Sequence, residues 1–274
     1  MTGLSPADWL ALLAAMTAAG AFAGLIAGLF GVGGGTVIVP VLFWAFEMLG
    51  VGGESNLHVA IGSSLLTIVA TSWRSLKAHR SHGAVDEAVL KRWTPWVGFG
   101  AVVGAGVAGI TSMEGLGIVY AVCLSLIATQ LGLLPETATP RRDLPEGWGR
   151  RATGTVIGGL SAMMGIGGGS FGGMLMTLCG RPIHQAVATA SGFGMAIGAA
   201  ATAGFIVFGW DAGGRPPLSL GYVNVPAAVV MGLLTMVTAP LGARLAHRLD
   251  RRALRKTFAA YLLLTAVSVA VKAL

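Results

Sequence analysis

The chain has 274 residues, of which 54% are apolar and only 11% are charged, and its mean hydropathy is +0.77. Soluble globular domains usually carry about 25% charged residues, so this composition excludes a soluble globule and indicates an integral membrane protein made of helices. In such a protein the basic residues first report topology. The net charge of +7 therefore does not indicate a nucleic-acid partner.

The first half of the chain, residues 1–134, is predicted to contain one hairpin and three membrane spans. The hairpin covers 9–49, where two apolar arms flank the glycine cluster at 31–36, and the spans follow at 58–73, 95–110 and 116–134. Residues 135–151 form the longest polar segment and are the predicted linker. The second half, residues 152–274, repeats the plan with a hairpin at 152–180 and spans at 184–208, 220–243 and 257–271.

The glycine cluster in each hairpin is the feature that reveals the repeat. Gly31-Val32-Gly33-Gly34-Gly35-Thr36 is followed 134 residues later by Gly165-Ile166-Gly167-Gly168-Gly169-Ser170. Each cluster ends in a residue, Thr36 or Ser170, that can cap a helix. A repeat at this distance predicts two copies of one unit, in which a helix, a glycine break and a helix N-terminus follow one another.

The cations predict the topology. Segments 74–92, 141–151 and 244–256 hold 15 of the 18 Lys and Arg residues and are therefore placed in the cytoplasm. The chain must then cross the membrane an even number of times between the last two segments. Two spans already supply those crossings, and the hairpin arms of 13 and 8 residues are too short to cross, since a span takes about 20 residues.

The hairpin at 152–180 is therefore predicted to be re-entrant from the cytoplasm, and the hairpin at 9–49 to be its counterpart from outside. Its longer arms also allow a V of two nearly spanning helices. Three spans in each half make the second half inverted relative to the first. The predicted fold is thus an all-α membrane protein of two inverted repeats. Inverted repeats whose broken helices meet near the midplane are typical of secondary transporters.

A glycine break inside the membrane exposes backbone N–H groups that lipid cannot satisfy. The helix that starts after the break directs its positive end at the same place, which attracts an anion. No buried Arg is available, so dipoles and hydroxyls would bind, and they favour a small oxyanion. The alternative is that the glycines only permit tight helix crossing. The predicted binding residues are Gly33, Gly34, Gly35, Thr36, Ser63, Ser64, Gly167, Gly168, Gly169, Ser170, Thr189 and Ser191.

Other residues suggest further chemistry. Glu47 is the one carboxylate predicted near membrane depth and is a candidate proton site, with an end-of-helix residue as the alternative. Residues 168–172 match GxSxG, so an intramembrane serine hydrolase using Ser170 with His184 or His247 is a weaker alternative. The repeat already explains Ser170, because Thr36 occupies the equivalent position. We predict no enzyme activity, no cofactor and no metal site.

Several segments carry a family resemblance: 24–35 (GLIAGLFGVGGG), 39–42 (VPVL), 61–65 (IGSSL), 79–86 (HRSHGAVD), 165–169 (GIGGG) and 239–246 (APLGARLA). With them the chain resembles the TauE/SafE family of sulfite exporters, also called the toluene-sulfonate uptake permease family, over nearly its whole length. The family pattern often has Thr-Ser where this chain has Ser63-Ser64. In the second half the corresponding Ala-Thr-Ser is one residue longer, at 188–191.

The resemblance implies a multi-pass protein of the bacterial inner membrane that transports sulfite, sulfonates or related sulfur-containing anions. It agrees with the anion site predicted at the glycine breaks, but the identity of the substrate comes from the family alone. The predicted mechanism is alternating access, with a passive anion channel as the alternative within transport. Coupling ion and oligomeric state stay open, and a homodimer is one alternative.

Overall fold

The computed structural model describes residues 14, 17–26, 34–51, 53–133, 143–246 and 251–273. These residues are almost entirely helical. The elements in chain order are α1 (Thr17–Ile26), α2 (Gly35–Met48), α3 (Asn56–Ser81), α4 (Glu87–Ile110), α5 (Met113–Leu133), α6 (Gly147–Met163), α7 (Phe171–Leu178), α8 (Ile183–Phe208), β1 (Ser219–Leu220), β2 (Val223–Asn224), α9 (Val225–Ala246) and α10 (Arg251–Ala273).

Five helices within the described ranges are long and apolar enough to cross a membrane, namely α3, α4, α5, α8 and α9. They contain or overlap the first five predicted spans, so the chain is a multi-pass membrane protein. The sixth predicted span, 257–271, lies inside α10, whose ends are basic at Arg251 and Lys272. By contrast α2 and α7, with 14 and 8 residues, are shorter than a membrane crossing requires.

The basic segment at 74–92, which the cations place in the cytoplasm between two predicted spans, is mostly helical. The helix α3 continues to Ser81 and α4 begins at Glu87, where the Asp86 carboxylate caps α4 by accepting a hydrogen bond from the Val89 N–H at 3.0 Å. Lys and Arg are good helix formers whose long side chains reach out of the bilayer. The helices therefore extend past their apolar parts.

The span predicted to start at residue 220 starts later. The strands β1 and β2 pair antiparallel, and α9 begins at Val225. The Asn224 side chain caps this helix, because its Oδ1 accepts a hydrogen bond from the Ala227 N–H at 3.0 Å. Pro226 fits in the first turn, where a helix has no use for its missing N–H.

The helices α3 and α8 pack on each other at the centre and run antiparallel. Before α3, the Gly53 N–H donates to the carbonyl of Gly214, which follows α8, at 3.1 Å. After α3, the Asp86 N–H donates to Oγ1 of Thr189, near the start of α8, at 2.9 Å. These two contacts lie at opposite ends of the pair. We name the two ends of the molecule the Gly53 face and the Asp86 face.

Two further helix pairs depend on glycines at matching positions. On α1, a Cβ atom at Gly20 would lie 2.8 Å from Leu234 of α9, and one at Gly24 would clash with Thr238 of the same helix. On α6, Gly154 and Gly158 contact α4 in the same manner. Gly154 and Gly158 follow Gly20 and Gly24 by 134 residues, the same interval that separates the glycine clusters. Small residues let such helices approach closely.

Candidate functional site

The two glycine clusters are in contact. A Cβ atom on Gly35 would clash with the carbonyl oxygen of Gly165 and would lie 2.8 Å from the Cα of Ile166. Gly165 itself has a φ of 63°, and a Cβ there would lie 2.7 Å from Cγ2 of Val39. The Gly165 carbonyl accepts a hydrogen bond from Oγ of Ser64 at 2.9 Å. We refer to residues 31–36 as the first break and to 165–170 as the second break.

The helices that follow the two breaks run to opposite faces of the molecule. The helix α2 ends on the Gly53 face, where Glu47 accepts a hydrogen bond from the Asn56 side chain at 2.9 Å. The helix α7 leads to the Asp86 face, where Arg181 lies 3.9 Å from the Asp86 carboxylate. The helix α2 therefore begins at the contact between the breaks, α7 begins five residues after Ile166, and the two helices lead to opposite faces.

At the first break, Gly34 precedes α2 with a φ of 76° and its carbonyl accepts the N–H groups of Val37 and Ile38. Across the described part of the chain, the N–H groups of Gly35 and Thr36 have no acceptor. The Thr36 side chain is completely buried, and its Oγ1 likewise has no partner there. The start of α2 thus presents two amide donors and one hydroxyl. Gly33, which we also predicted to bind, lies outside the described residues.

At the second break, Gly168 is buried against α8, because a Cβ there would lie 2.6 Å from Cβ of Phe193. Gly169 is exposed, and a Cβ at this position would meet nothing within 4 Å. The N–H groups of residues 167–169 find no acceptor in the described ranges. The Ser170 Oγ is buried and has no hydrogen-bond partner within the same ranges. This break therefore combines free donors with open space.

Sequence reasoning did not predict Ser161, which lies in the last turn of α6. Its side chain is completely buried, and its Oγ has no partner among the residues that the structure describes. Its carbonyl accepts the N–H of Ile166 at 2.9 Å, so Ser161 borders the second break. The available signal was a hydroxyl inside an apolar arm, at a position where the first repeat has Ala27.

The other predicted hydroxyls have partners in the protein. The Ser63 Oγ accepts the N–H of Asn224 at 2.8 Å, which holds the start of α9 against α3. Thr189 belongs to the Asp86 face, as described above, and the Ser191 Oγ donates to the Ala188 carbonyl at 2.6 Å. The structure therefore brings Gly35, Ser64 and the second break together, whereas Thr189 lies toward the Asp86 face.

Glu47 is the candidate proton site, and its carboxylate is well supplied with donors. Besides the Asn56 bond, its Oε2 lies 3.0 Å from Nζ of Lys272 on α10. The hydrogen bond from Lys272, followed by that from Asn56, lowers the pKa of Glu47. The Lys272 ammonium also lies 5.4 Å from the Trp44 ring centre. These contacts join α2 to α10 and favour the ionised carboxylate.

The arrangement suits anion binding rather than acid–base chemistry. Free N–H groups at helix starts, with the helix dipole behind them, are a favourable environment for an oxyanion. A serine nucleophile would need a base within hydrogen-bond reach, and Ser170 has none in the described ranges. His247, one of the two bases considered, lies outside them. The buried imidazole of His58 is engaged elsewhere, because its Nε2 lies 3.0 Å from the Thr111 carbonyl oxygen.

Sequence comparison finds relatives that are named as membrane transporters. A probable membrane transporter protein of Haemophilus influenzae is 31% identical over 255 residues, covering 92% of this chain and 96% of that protein. Another, from Methanocaldococcus jannaschii, is 23% identical over 257 residues, covering 90% and 91%. A third, from Bacillus subtilis, is 29% identical over 170 residues, covering 55% and 62%. No solved structure matches the chain.

The family model described as sulfite exporter TauE/SafE matches residues 16–269, which include both breaks and every described helix except the last residues of α10. This match extends over most of the sequence, and the relatives that the chain resembles are named as membrane transporters. The chain therefore belongs to the TauE/SafE family of membrane transporters.

Proposed function

We propose that this transporter moves a small sulfur-containing anion, sulfite or an organosulfonate, across the bacterial inner membrane, and that the anion binds where the two breaks meet. The observation that carries the proposal is the contact of Gly35 with Gly165 and Ile166, surrounded by donors without acceptors in the described ranges. The family description supplies the sulfur chemistry.

The donors around the contact favour a small oxyanion. Thr36, Ser161 and Ser170 contribute hydroxyls, and Gly169 contributes both an N–H group and open space. Both helices that begin there direct their positive ends at the anion. Of the predicted set, Ser64 acts on the site through the Gly165 carbonyl, while Ser63, Thr189 and Ser191 support the surrounding helices.

We further propose that residues 1–134 and 152–274 are two inverted repeats joined by 135–151. The antiparallel course of α3 and α8, which are corresponding helices, supports an inverted arrangement. The opposite directions of α2 and α7 support it as well. The helix contacts also have counterparts when the two halves are interchanged. The contact of α1 with α9 corresponds to that of α6 with α4, and the contact of α2 with α3 corresponds to that of α7 with α8.

Alternating access would then be a movement of one repeat against the other around the breaks. The two halves contact each other on both faces. Such a movement would break the contacts on one face when the protein opens there, and those on the other face when it opens to the other side. On the Gly53 face, Glu47 pairs with Lys272 at 3.0 Å and the Ser55 Oγ donates to the Gly213 carbonyl at 2.7 Å. On the Asp86 face, the Asp86–Arg181 pair is longer, at 3.9 Å.

The test is uptake of labelled sulfite into proteoliposomes by the wild type, by Gly169→Leu and by Gly98→Leu. A Cβ at either glycine would meet nothing within 4 Å, so both variants should insert and fold. A leucine at Gly169 fills the space beside the free donors and should reduce the uptake rate at least tenfold, whereas Gly98→Leu on α4 should transport normally. Equal uptake by all three would refute the site.

The same preparation separates a transporter from a passive channel. Saturable uptake that accelerates under an imposed proton gradient would support a coupled transporter and would direct attention to Glu47, because Glu47→Gln should then lose the acceleration. Flux that rises linearly with sulfite concentration would favour the channel. Unlabelled sulfate, thiosulfate and taurine as competitors rank the anions that the site accepts.

A further inference from the structure

A second polar site lies away from the breaks, on the Asp86 face. A cleft of about 560 Å³ opens between the start of α4 and the start of α6. It is lined by three arginines, namely Arg92 on α4, Arg150 on α6 and Arg181 after α7, and by three carboxylates, Asp86, Asp143 and Glu146. The formal charges of these side chains therefore cancel. Whether the cleft can bind an anion depends on which of the arginines are already paired with a carboxylate.

Within the described ranges, two of the three arginines are not paired with a carboxylate and can therefore bind an anion. Arg181 lies 3.9 Å from Asp86, but within the described ranges neither Arg92 nor Arg150 has a carboxylate within 4 Å. The Nε of Arg150 is buried and has no acceptor in the described chain. A buried guanidinium N–H without an acceptor is costly, and an oxyanion is the partner whose geometry fits a guanidinium best.

The surroundings of the cleft are those of a bilayer interface. Beside Arg150, the Arg151 guanidinium lies 4.9 Å from the ring centre of Trp96 and 5.2 Å from that of Trp148. The Trp148 side chain is 80% exposed at the start of α6. Tryptophan is enriched where a membrane meets water. Farther along the same two helices, the side chains of Phe99 and Val156 are exposed and apolar.

We propose that this cleft binds the phosphate of an anionic phospholipid headgroup, held by Arg92 and Arg150. The acyl chains lie against the exposed apolar side chains of α4 and α6. A free anion would use the arginines but would have no use for Trp148 or Phe99, so the arrangement favours a lipid. The cleft lies among the basic segments that we place in the cytoplasm, and basic pockets between helices on that side bind anionic headgroups.

The experiment is native mass spectrometry of the full-length protein in detergent, titrated with dioleoyl phosphatidylglycerol, dioleoyl phosphatidylcholine or inorganic phosphate. The wild type should retain phosphatidylglycerol in preference to phosphatidylcholine. The double variant Arg92→Gln/Arg150→Gln should bind phosphatidylglycerol about fivefold more weakly for each arginine removed. Lys91→Gln removes an exposed cation next to Arg92 and should leave the affinity unchanged.

A second variant guards against misfolding. Arg92→Lys/Arg150→Lys keeps both charges, and it should regain most of the phosphatidylglycerol preference that the glutamine variant loses. Equal binding of the two lipids by the wild type would overturn the proposal. An equal loss of the phosphatidylglycerol preference in Lys91→Gln and in the double glutamine variant would also overturn it. The same holds if the wild type retains inorganic phosphate but shows no preference for phosphatidylglycerol.

Discussion

Glu47 shows how one side chain connects the two halves of the protein. Its ion pair with Lys272 lies at the end of α2, where both side chains are partly exposed. Because the pKa of Glu47 in the folded protein is lowered below its unfolded value of about 4.3, the pair stabilises the fold above that pH. The contribution disappears as the pH falls through the folded pKa.

We therefore expect Glu47→Gln to lower the unfolding temperature in detergent at pH 7 by about 2 °C, since partly exposed pairs contribute up to about 1 kcal/mol. As the pH is lowered below the unfolded pKa of Glu47, the difference in unfolding temperature between the variant and the wild type should shrink. The control is Glu54→Gln, because it removes a nearby exposed carboxylate that makes no ion pair within the described ranges. A difference between Glu47→Gln and the wild type that stays constant as the pH falls from 7 into the acid range would contradict this account.

The serines next to the breaks show what sequence reasoning could and could not reach. The glycine clusters and their small polar neighbours predicted where donors would gather. They did not predict that Ser64 would be used by the Gly165 carbonyl, or Ser63 by the Asn224 N–H. These bonds join residues more than 100 positions apart, so they depend on how helices cross, which periodicity does not encode. For the same reason Ser161 was missed.

At the scale of helices, the contact between α4 and α6 leaves no room for added volume at Gly158. A Cβ atom on Gly158 would clash with the Val97 carbonyl and would lie 2.9 Å from the Ala101 N. The adjacent Gly159 has more room, since a Cβ there would meet the Gly100 carbonyl at an ordinary contact distance of 3.4 Å and nothing else within 4 Å. The two neighbouring glycines thus provide a matched pair.

We expect Gly158→Ala to destabilise the protein by about 1–3 kcal/mol, because the clash involves backbone that cannot yield without separating the helices. Gly159→Ala should be neutral or slightly stabilising, since alanine is the better helix former. Thermal unfolding in detergent, followed by circular dichroism, measures both. Equal unfolding temperatures for the two variants would show that α4 and α6 are not packed this closely.

Helix positions were more predictable than helix ends. The eight-residue arm predicted in the second hairpin coincides with α7, because the glycines before it and Gly180 after it interrupt any helix. In contrast, α3 extends to Ser81, well beyond the predicted end at residue 73. Charge and polarity report the membrane boundary, whereas hydrogen bonding and caps such as Asp86 decide where the helix itself ends.

For the whole molecule, the arrangement of the two halves decides whether the breaks form one site or two. The helix α2 starts at the contact of Gly35 with Gly165, α7 starts directly after the second break, and the two helices lead to opposite faces. In two parallel repeats these helices would run in the same direction, and their N-termini would not face a common point, so an anion would meet only one helix start. An inverted arrangement is therefore the one in which both dipoles act on a single anion.

This arrangement predicts which residues face each side of the membrane. Glu54 precedes α3 and His184 lies in the first turn of α8, so the two exposed side chains mark the same end of corresponding helices. In a background without Cys123 and Cys179, both of which are buried, Glu54→Cys should react with a membrane-impermeant maleimide added to intact cells. His184→Cys should react only after the membrane is permeabilised. Labelling of both cysteines from the same side would mean that the halves are not inverted, and the single anion site would then lose its second helix start.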